Sequence, residues 1–284
     1  MRFSQAMEQA LYGPEGFFVR SHPAAHFRTS AQSPLFARAI ARLIDLADVA
    51  LGRPQQLDVV DVGAGEGMLL SHLRPLLPDR INLLPIEIGS EIPSFTGVLL
   101  ATEWLDNVPL DLAEDGRYLW DGEPVSKEDA DWMTRWWPSA SSTVEIGRSR
   151  DLAWTAAVGK LRAGVALAVD YGHLSGTRPS TPTVTGFRDG REVSPSFDGS
   201  TDITAHVAMD AVAAATGLPS KLISQREALH WLGLSGSRPA LDLAHRDPAG
   251  YVRALAEASE VASLTDPDGL GSHFWLIQTV GCAL

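Results

Sequence analysis

Two periodicities run through this chain. Leu35, Phe36, Ala39, Ile40, Leu43, Ile44 and Ala47 recur three and four residues apart, the spacing of one helix face. Ser33-Pro34 ahead of them supplies an N-cap and a proline at the first helical position, so a helix is predicted as far as Gly52. Leu57 to Val62, Ile81 to Ile88, Gly97 to Thr102 and Val165 to Val169 are instead apolar almost throughout. Strands buried on both faces of a parallel sheet read this way. Helices are predicted at Met68 to Leu77, stopped by prolines, at Asp151 to Arg162, at Ile203 to Thr216 and across Glu227 to Ser263. Lys221 to Ile223 and His273 to Val280 complete the strands, and Arg117 to Val125 reads as a hairpin around Asp121-Gly122. The stretch from Gly172 to Ser200 is rich in Gly, Pro, Ser and Thr and too long for an ordinary connection, so an active-site cover or a disordered loop is expected. Strands alternating with helices predict an α/β fold with a doubly wound, mostly parallel sheet.

Ligands of such sheets bind beyond the carboxyl ends of the strands. The first strand ends in Asp61-Val62-Gly63-Ala64-Gly65-Glu66-Gly67, where Gly63, Gly65 and Gly67 let a ligand approach the backbone. A dinucleotide fingerprint, G-x-G-x-x-G, would place its last glycine at Met68. The third glycine comes one residue early, and the spacing resembles the D-x-G-x-G-x-G loop of Rossmann-like methyltransferases that bind S-adenosylmethionine. Glu87 follows the second strand about 20 residues beyond Gly67, where an acid accepts hydrogen bonds from ribose hydroxyls. Thr102-Glu103-Trp104-Leu105-Asp106-Asn107-Val108-Pro109 follows the third strand, where a substrate would meet the cofactor.

Composition narrows the partners. The 284 residues include 23 Lys and Arg against 35 Asp and Glu, a formal net charge of −12, which disfavours a nucleic-acid substrate and suits a cationic one. No apolar run approaches the roughly 18 to 20 residues of a membrane helix. The opening Met-Arg-Phe-Ser-Gln lacks the apolar core of a signal peptide, and the lone Cys282 has no partner for an internal disulfide, so a cytoplasmic protein is expected. The histidines are scattered and Cys282 is isolated, so no metal is predicted. Trp132, Trp136 and Trp137, at near-helical spacing, read as core, as a hydrophobic face or as cover for a partner.

Several short words in order resemble the MidA-like family of class I S-adenosylmethionine-dependent methyltransferases. Leu11-Tyr12-Gly13-Pro14-Glu15-Gly16-Phe17-Phe18 resembles its L-Y-x-P-x-x-G-Y-Y opening, and Phe27-Arg28-Thr29-Ser30 its G-D-F-x-T-S segment. Glu103 to Pro109 is similar to N-E-x-x-D-x-x-P, Asp170-Tyr171-Gly172 to D-Y-G, Asp202 to Val207 to D-x-T-A-H-V, and Ser224-Gln225 with Leu232-Gly233 to S/T-Q…L-G. The chain departs from the pattern with Ala25-His26 where the family has Gly-Asp, and with Thr102 where it has Asn. The segment between Glu87 and Gly97 is also shorter than in the family.

The resemblance implies a Rossmann-like domain over 1–284, with an antiparallel C-terminal strand. Residues 1–32 would cover the cofactor, 33–171 form the nucleotide-binding half, 172–200 an insertion and 201–284 the C-terminal half. It implies S-adenosylmethionine as cofactor, held by Asp61, Gly63, Gly65, Gly67, Glu87, Thr102 and Thr29, with Phe27, Asp170 and Tyr171 lining the substrate pocket. Mitochondrial members act in respiratory complex I assembly by methylating a protein arginine, so a protein substrate is implied. A guanidinium stays protonated as it nears the sulfonium. Like charges about 3.5 Å apart at an effective dielectric of about 20 repel by on the order of 5 kcal/mol, which fixed negative charge must offset. Glu103 and Asp106, three residues apart, share a face of a helical turn and can grip a guanidinium between them as the catalytic pair.

Blander readings of the same residues stay open. Asp106-Asn107 can cap a turn before Pro109, and Asp170 can cap the loop after its strand. His206 reads as a helix histidine behind Asp202 or Thr201 as N-cap. A binding protein that keeps the fold, serving as an assembly or interaction factor, and a small-molecule methyltransferase are the alternatives.

Overall fold

The computed structural model of the protein describes residues 1–20, 29–87, 89–138 and 143–284. Its centre is a six-stranded sheet of β1 (Leu57–Val62), β2 (Ile81–Ile86), β3 (Phe95–Thr102), β4 (Leu161–Asp170), β5 (Ser220–Ser224) and β6 (Phe274–Val280). The order across it is β5-β6-β4-β3-β1-β2. β1, β2, β3 and β4 run parallel, and β6 is antiparallel to both β4 and β5. The doubly wound sheet with an antiparallel C-terminal strand is therefore the observed one. Among the described residues no helix is long and apolar enough to cross a membrane.

Helices cover both faces. Ser33 accepts from the N–H groups of Leu35 and Phe36 to start the helix Pro34–Ala50, whose Phe36, Ile40, Leu43 and Ile44 are fully buried. They pack on Val59, Val98, Leu100, Val165 and Leu167 of one sheet face. The opposite face, with Val60, Leu99, Ala166 and Ala168, is covered by Trp154, Ala157 and Val158 of the helix Arg148–Val158. Successive strand residues point to opposite faces, so a fully apolar strand was required.

Some elements differ from the sequence reading. Residues 203–216 do not form one helix: Asp202–Thr204 and Val207–Ala208 are strands, and the helix begins at Met209. Thr201 to Ala205 are all at most 3% exposed, whereas a surface helix would turn part of that run outwards. The 172–200 stretch is not a structureless loop. Thr185–Arg188 and Arg191–Val193 form a hairpin closed by Asp189-Gly190, both at positive φ, and the first strand pairs with Asp202–Thr204. The other hairpin turns at Asp115-Gly116, between Asp111–Glu114 and Arg117–Tyr118. Around Asp121-Gly122 the chain also turns back on itself, with an antiparallel bridge between Arg117 and Pro124 flanked by bonds from the Tyr118 N–H to the Glu123 carbonyl and from the Val125 N–H to the Gly116 carbonyl. The helix expected at 151–162 runs from Arg148 to Val158, and Arg162 lies in β4. An unanticipated helix, Phe3–Tyr12, buries Phe3, Met7 and Leu11 against Leu110, Leu112 and Ile203. Trp132 lies on the helix Lys127–Trp136 and is buried with Trp137 in a small cluster.

β1, β3 and β4 approach at two glycines. A Cβ on Gly97 would lie 2.0 Å from the Asp58 carbonyl oxygen, and one on Gly164 would lie 1.8 Å from that of Gly97. Both sit at positive φ, so neither space nor dihedral admits a side chain. Gly97→Ala is expected to destabilise the protein by on the order of 3 kcal/mol, read as a lower denaturation midpoint in urea. An unchanged midpoint would contradict this close packing.

Candidate active site

Three loops converge beyond the carboxyl ends of β1, β2 and β3. The Gly63 N–H donates to the Ile86 carbonyl, tying the first loop to the end of β2. Gly63, Gly65 and Gly67 take φ of 72°, 57° and 69°. A Cβ on Gly63 would stand 2.9 Å from Cδ1 of Trp104, so the loop lies directly against the turn after β3. The other two glycines have open space where a side chain would stand. Gly67 precedes the helix Met68–Leu73, and its carbonyl accepts from Ser71.

Asp61 is buried below this loop, and desolvation, then the charge of Glu87, raises its carboxyl to about 7. Glu87 lies exposed at the mouth; partial burial raises its pKa, opposed by the backbone N–H of Gly65 that faces it. The Thr102 hydroxyl at the end of β3 is buried with no hydrogen-bond partner among the described residues. A buried hydroxyl left unpaired costs about 1 to 3 kcal/mol, so the site favours a ligand that pairs with it. This open-backed loop, the acid at its mouth and the orphaned hydroxyl suit a polar nucleoside cofactor.

The acidic turn is a 3-10 turn, Leu105–Asn107. Glu103 precedes it at φ 52°, a backbone conformation uncommon for a residue with a Cβ and met most often where function holds it. Its Oε1 accepts from the Ser30 N–H at 3.0 Å, and its carboxyl is raised to about 8, chiefly by desolvation, with Asp106 adding to it. Oδ2 of Asp106 accepts from the Tyr171 hydroxyl at 2.5 Å and from the Thr204 hydroxyl at 2.7 Å. Its Oδ1 is buried and unpartnered among the described residues.

Asp170 performs the capping role. Its oxygens accept from the backbone N–H groups of Leu105, Asp106 and Tyr171, so it shapes the turn and leaves Tyr171 facing the site. Burial, then the charge of Asp106, raises its pKa. Thr29 opens the short turn Ser30–Gln32, and it is the next residue, Ser30, that reaches Glu103. Phe27, with Ala25 and His26, lies outside the described residues.

Sequence reasoning passed over several parts. Gln225 donates to the Ser30 hydroxyl and the Leu264 carbonyl and accepts from the Trp275 indole, which fixes the strand of chain that meets Glu103. Asn107 donates to Asp202 and the Ile203 carbonyl, and Tyr12 donates to the Asn107 carbonyl. Burial, then the charge of Asp106, raises Asp202 to about 8. His206 is not a helix residue; it lies between two short strands, its ring edge-on to Tyr171 with centroids 5.2 Å apart. The words Ser-Gln and Asp-Ile-Thr-Ala-His-Val carried these positions, but nothing local says which side chains turn inward. Among the described residues no group of three His, Cys, Asp or Glu is arranged to hold a metal.

A glycine loop, a ribose-height acid and an acidic turn at the ends of adjacent parallel strands define an α/β enzyme built around a nucleoside cofactor. A family model described as "Putative S-adenosyl-L-methionine-dependent methyltransferase" matches residues 75–225, more than half of the chain, and the protein belongs to that family. Two crystal structures of Burkholderia thailandensis proteins share its fold. One, bound to S-adenosyl-homocysteine, is 22% identical with a TM-score of 0.78, over 100% of this chain and 89% of that one. The other, an uncharacterised protein, is 21% identical with a TM-score of 0.80, over 100% and 88%. No curated protein matches the chain. The protein is an S-adenosylmethionine-dependent methyltransferase.

If Gly63 must admit Trp104 for the loop to hold the cofactor, Gly63→Ala should weaken S-adenosylhomocysteine at least tenfold in calorimetric titration. Glu87→Ala should weaken it by about tenfold, the worth of one lost charge-assisted contact. Unaltered affinity in both would place the cofactor elsewhere.

Proposed function

We propose that the enzyme transfers a methyl group to an arginine nitrogen of a protein, with Glu103 and Asp106 as the residues that hold the acceptor. The observation that carries this reading is the pair of buried carboxylates at the end of β3, Glu103 just before the turn and Asp106 within it, the latter with a buried oxygen that has no donor among the described residues. The buried Arg150, the cation nearest to the turn, is already engaged with four backbone carbonyls. A planar cation with several N–H groups fits such a site better than a neutral acceptor does.

The cofactor supplies an electrophilic methyl group on a cationic sulfonium, held by the glycine loop, Asp61, Glu87 and Thr102. Glu103 and Asp106 would then offset the repulsion between the two cations and aim one nitrogen at the methyl carbon. As the carbon–nitrogen bond formed and the methyl carbon–sulfur bond broke, with S-adenosylhomocysteine as the leaving group, that nitrogen would become acidic and would pass its proton to Glu103. A carboxylate with its pKa raised to about 8 is a far better base than an ordinary one.

Glu103→Gln and Asp106→Asn should each lower radiolabelled methyl transfer into whole-cell protein at least a hundredfold while leaving S-adenosylhomocysteine binding within about threefold. Acid hydrolysis of the labelled protein should release methylated arginines; label in another amino acid, or in small molecules, would overturn the arginine reading. The pH profile follows from the sign of the shift. Glu103 must be ionised to act, so kcat/KM should rise about tenfold per unit up to pH about 8 and then level, and Glu103→Gln should lack that limb.

A further inference from the structure

We infer that Thr204 and Tyr171 are positioning residues for methyl transfer: their hydroxyls clamp Oδ2 of Asp106 and leave Oδ1 as the oxygen that meets the acceptor. The inference rests on the reading of Asp106 as an acceptor-holding residue.

The two hydroxyls reach Asp106 from separate elements. Thr204 ends the strand Asp202–Thr204, is 1% exposed, and is held by pairing with Thr185. Tyr171 follows β4; its carbonyl accepts from the Val207 N–H, and its ring packs against those of His206 and His273. Both hydroxyls contact Oδ2, and they also contact each other. Two hydroxyls carry two protons, enough for each to donate to Oδ2. The carboxyl plane is thereby fixed from two sides, and Oδ1 has its orientation set by groups that do not themselves use it. Oδ1 is buried without a partner among the described residues, in a residue 5% exposed, a state that costs free energy until a donor arrives.

Glu103 is divided in the same way. The Ser30 N–H occupies its Oε1, which leaves Oε2 for a ligand. Each carboxylate thus has one oxygen not taken by a donor among the described residues, and a guanidinium has N–H groups enough to meet both. A bidentate grip by one carboxylate is not what the arrangement offers. Asp170 is spent on three backbone N–H groups, and Asp202 receives Asn107, so neither competes for the acceptor.

The test uses the full-length protein saturated with S-adenosylhomocysteine, with methylguanidinium as the acceptor probe in calorimetric titration. The expected result is binding by the wild type, its loss in Asp106→Asn, an affinity about tenfold weaker in Thr204→Val and in Tyr171→Phe, and near-complete recovery in Thr204→Ser. The carboxyl carbon-13 resonance of Asp106, recorded without the probe, should move in Thr204→Val and Tyr171→Phe and return in Thr204→Ser. Wild-type affinity in a folded Thr204→Val protein, with Asp106→Asn inactive, would overturn the clamp and leave the acceptor reading standing. No binding by the wild type, or equal binding by Asp106→Asn, would overturn the acceptor reading instead. The resonance then judges the clamp by itself: a shift in the hydroxyl variants supports it, and an unmoved resonance overturns it. If Thr204→Val melts below the assay temperature, Tyr171→Phe and Thr204→Ser decide by the same measurements.

Discussion

Arg150 ties together two stretches of chain that lie far apart in sequence. Its guanidinium, 1% exposed, donates to the carbonyls of Asp106 and Val108 on the acidic turn and to those of Ala205 and His206 on the segment that carries Thr204. Burying a lone guanidinium costs several kcal/mol even after relaxation. Hydrogen bonds from a charged donor are worth about 1.5 to 3 kcal/mol each, so four of them offset that cost, and removing any part leaves a charge unpaired in the interior. Burial still lowers the Arg150 pKa from its ordinary value, with the nearby carboxylates Glu145, Asp106 and Asp170 opposing the shift. Everything proposed for Asp106 depends on this junction, since it holds Thr204 opposite the turn.

The site is otherwise made of acids held at a cost to the fold. Asp61, Glu103 and Asp202 are raised to about 7, 8 and 8 by burial, with Glu87 adding to the first and Asp106 to the other two. A carboxyl raised in the folded state keeps a proton that the unfolded chain releases near pH 4, so each of these groups weakens the folded state as pH climbs from about 4 to about 8. Cationic ligands reverse that balance. A sulfonium and a guanidinium favour the ionised carboxylates, so the same groups that are a liability in the free protein become the source of binding energy.

Much of this was legible beforehand because local pattern and final structure agree in the sheet. An all-apolar run such as Leu57 to Val62 has one sensible place, and the glycines that follow it take the left-handed φ that their lack of a Cβ allows. Glu87 and the Glu103 to Asp106 turn followed, since strand ends lie together in a parallel sheet. Misreadings arose where burial was two-sided without strand length. Ile203 to Ala208 reads as the start of a helix because short β-branched runs fit either period, and the choice is made at its first residues by pairing with Thr185–Arg188. Asp115-Gly116 closes a hairpin beside the bridged turn at Asp121-Gly122, and the two carry the same residue pair, so the sequence reading that named the second had no local signal to add the first.

The amino-acid sequence by itself determined the sheet, the cofactor loop and the identity of the acids after each strand, because these rest on backbone geometry and on residues close together in the chain. The tertiary structure decided what each acid has left to offer. Asp170 and Asp106 look alike in sequence, both short carboxylates after buried strands. One is consumed by three backbone N–H groups, and the other is pinned through one oxygen by Tyr171 and Thr204, residues 65 and 98 positions away. A hydrogen bond depends on where donors arrive in space, and that is set by the packing of the turn against the 202–206 segment, through Arg150, Asn107 and the Ala205 N–H.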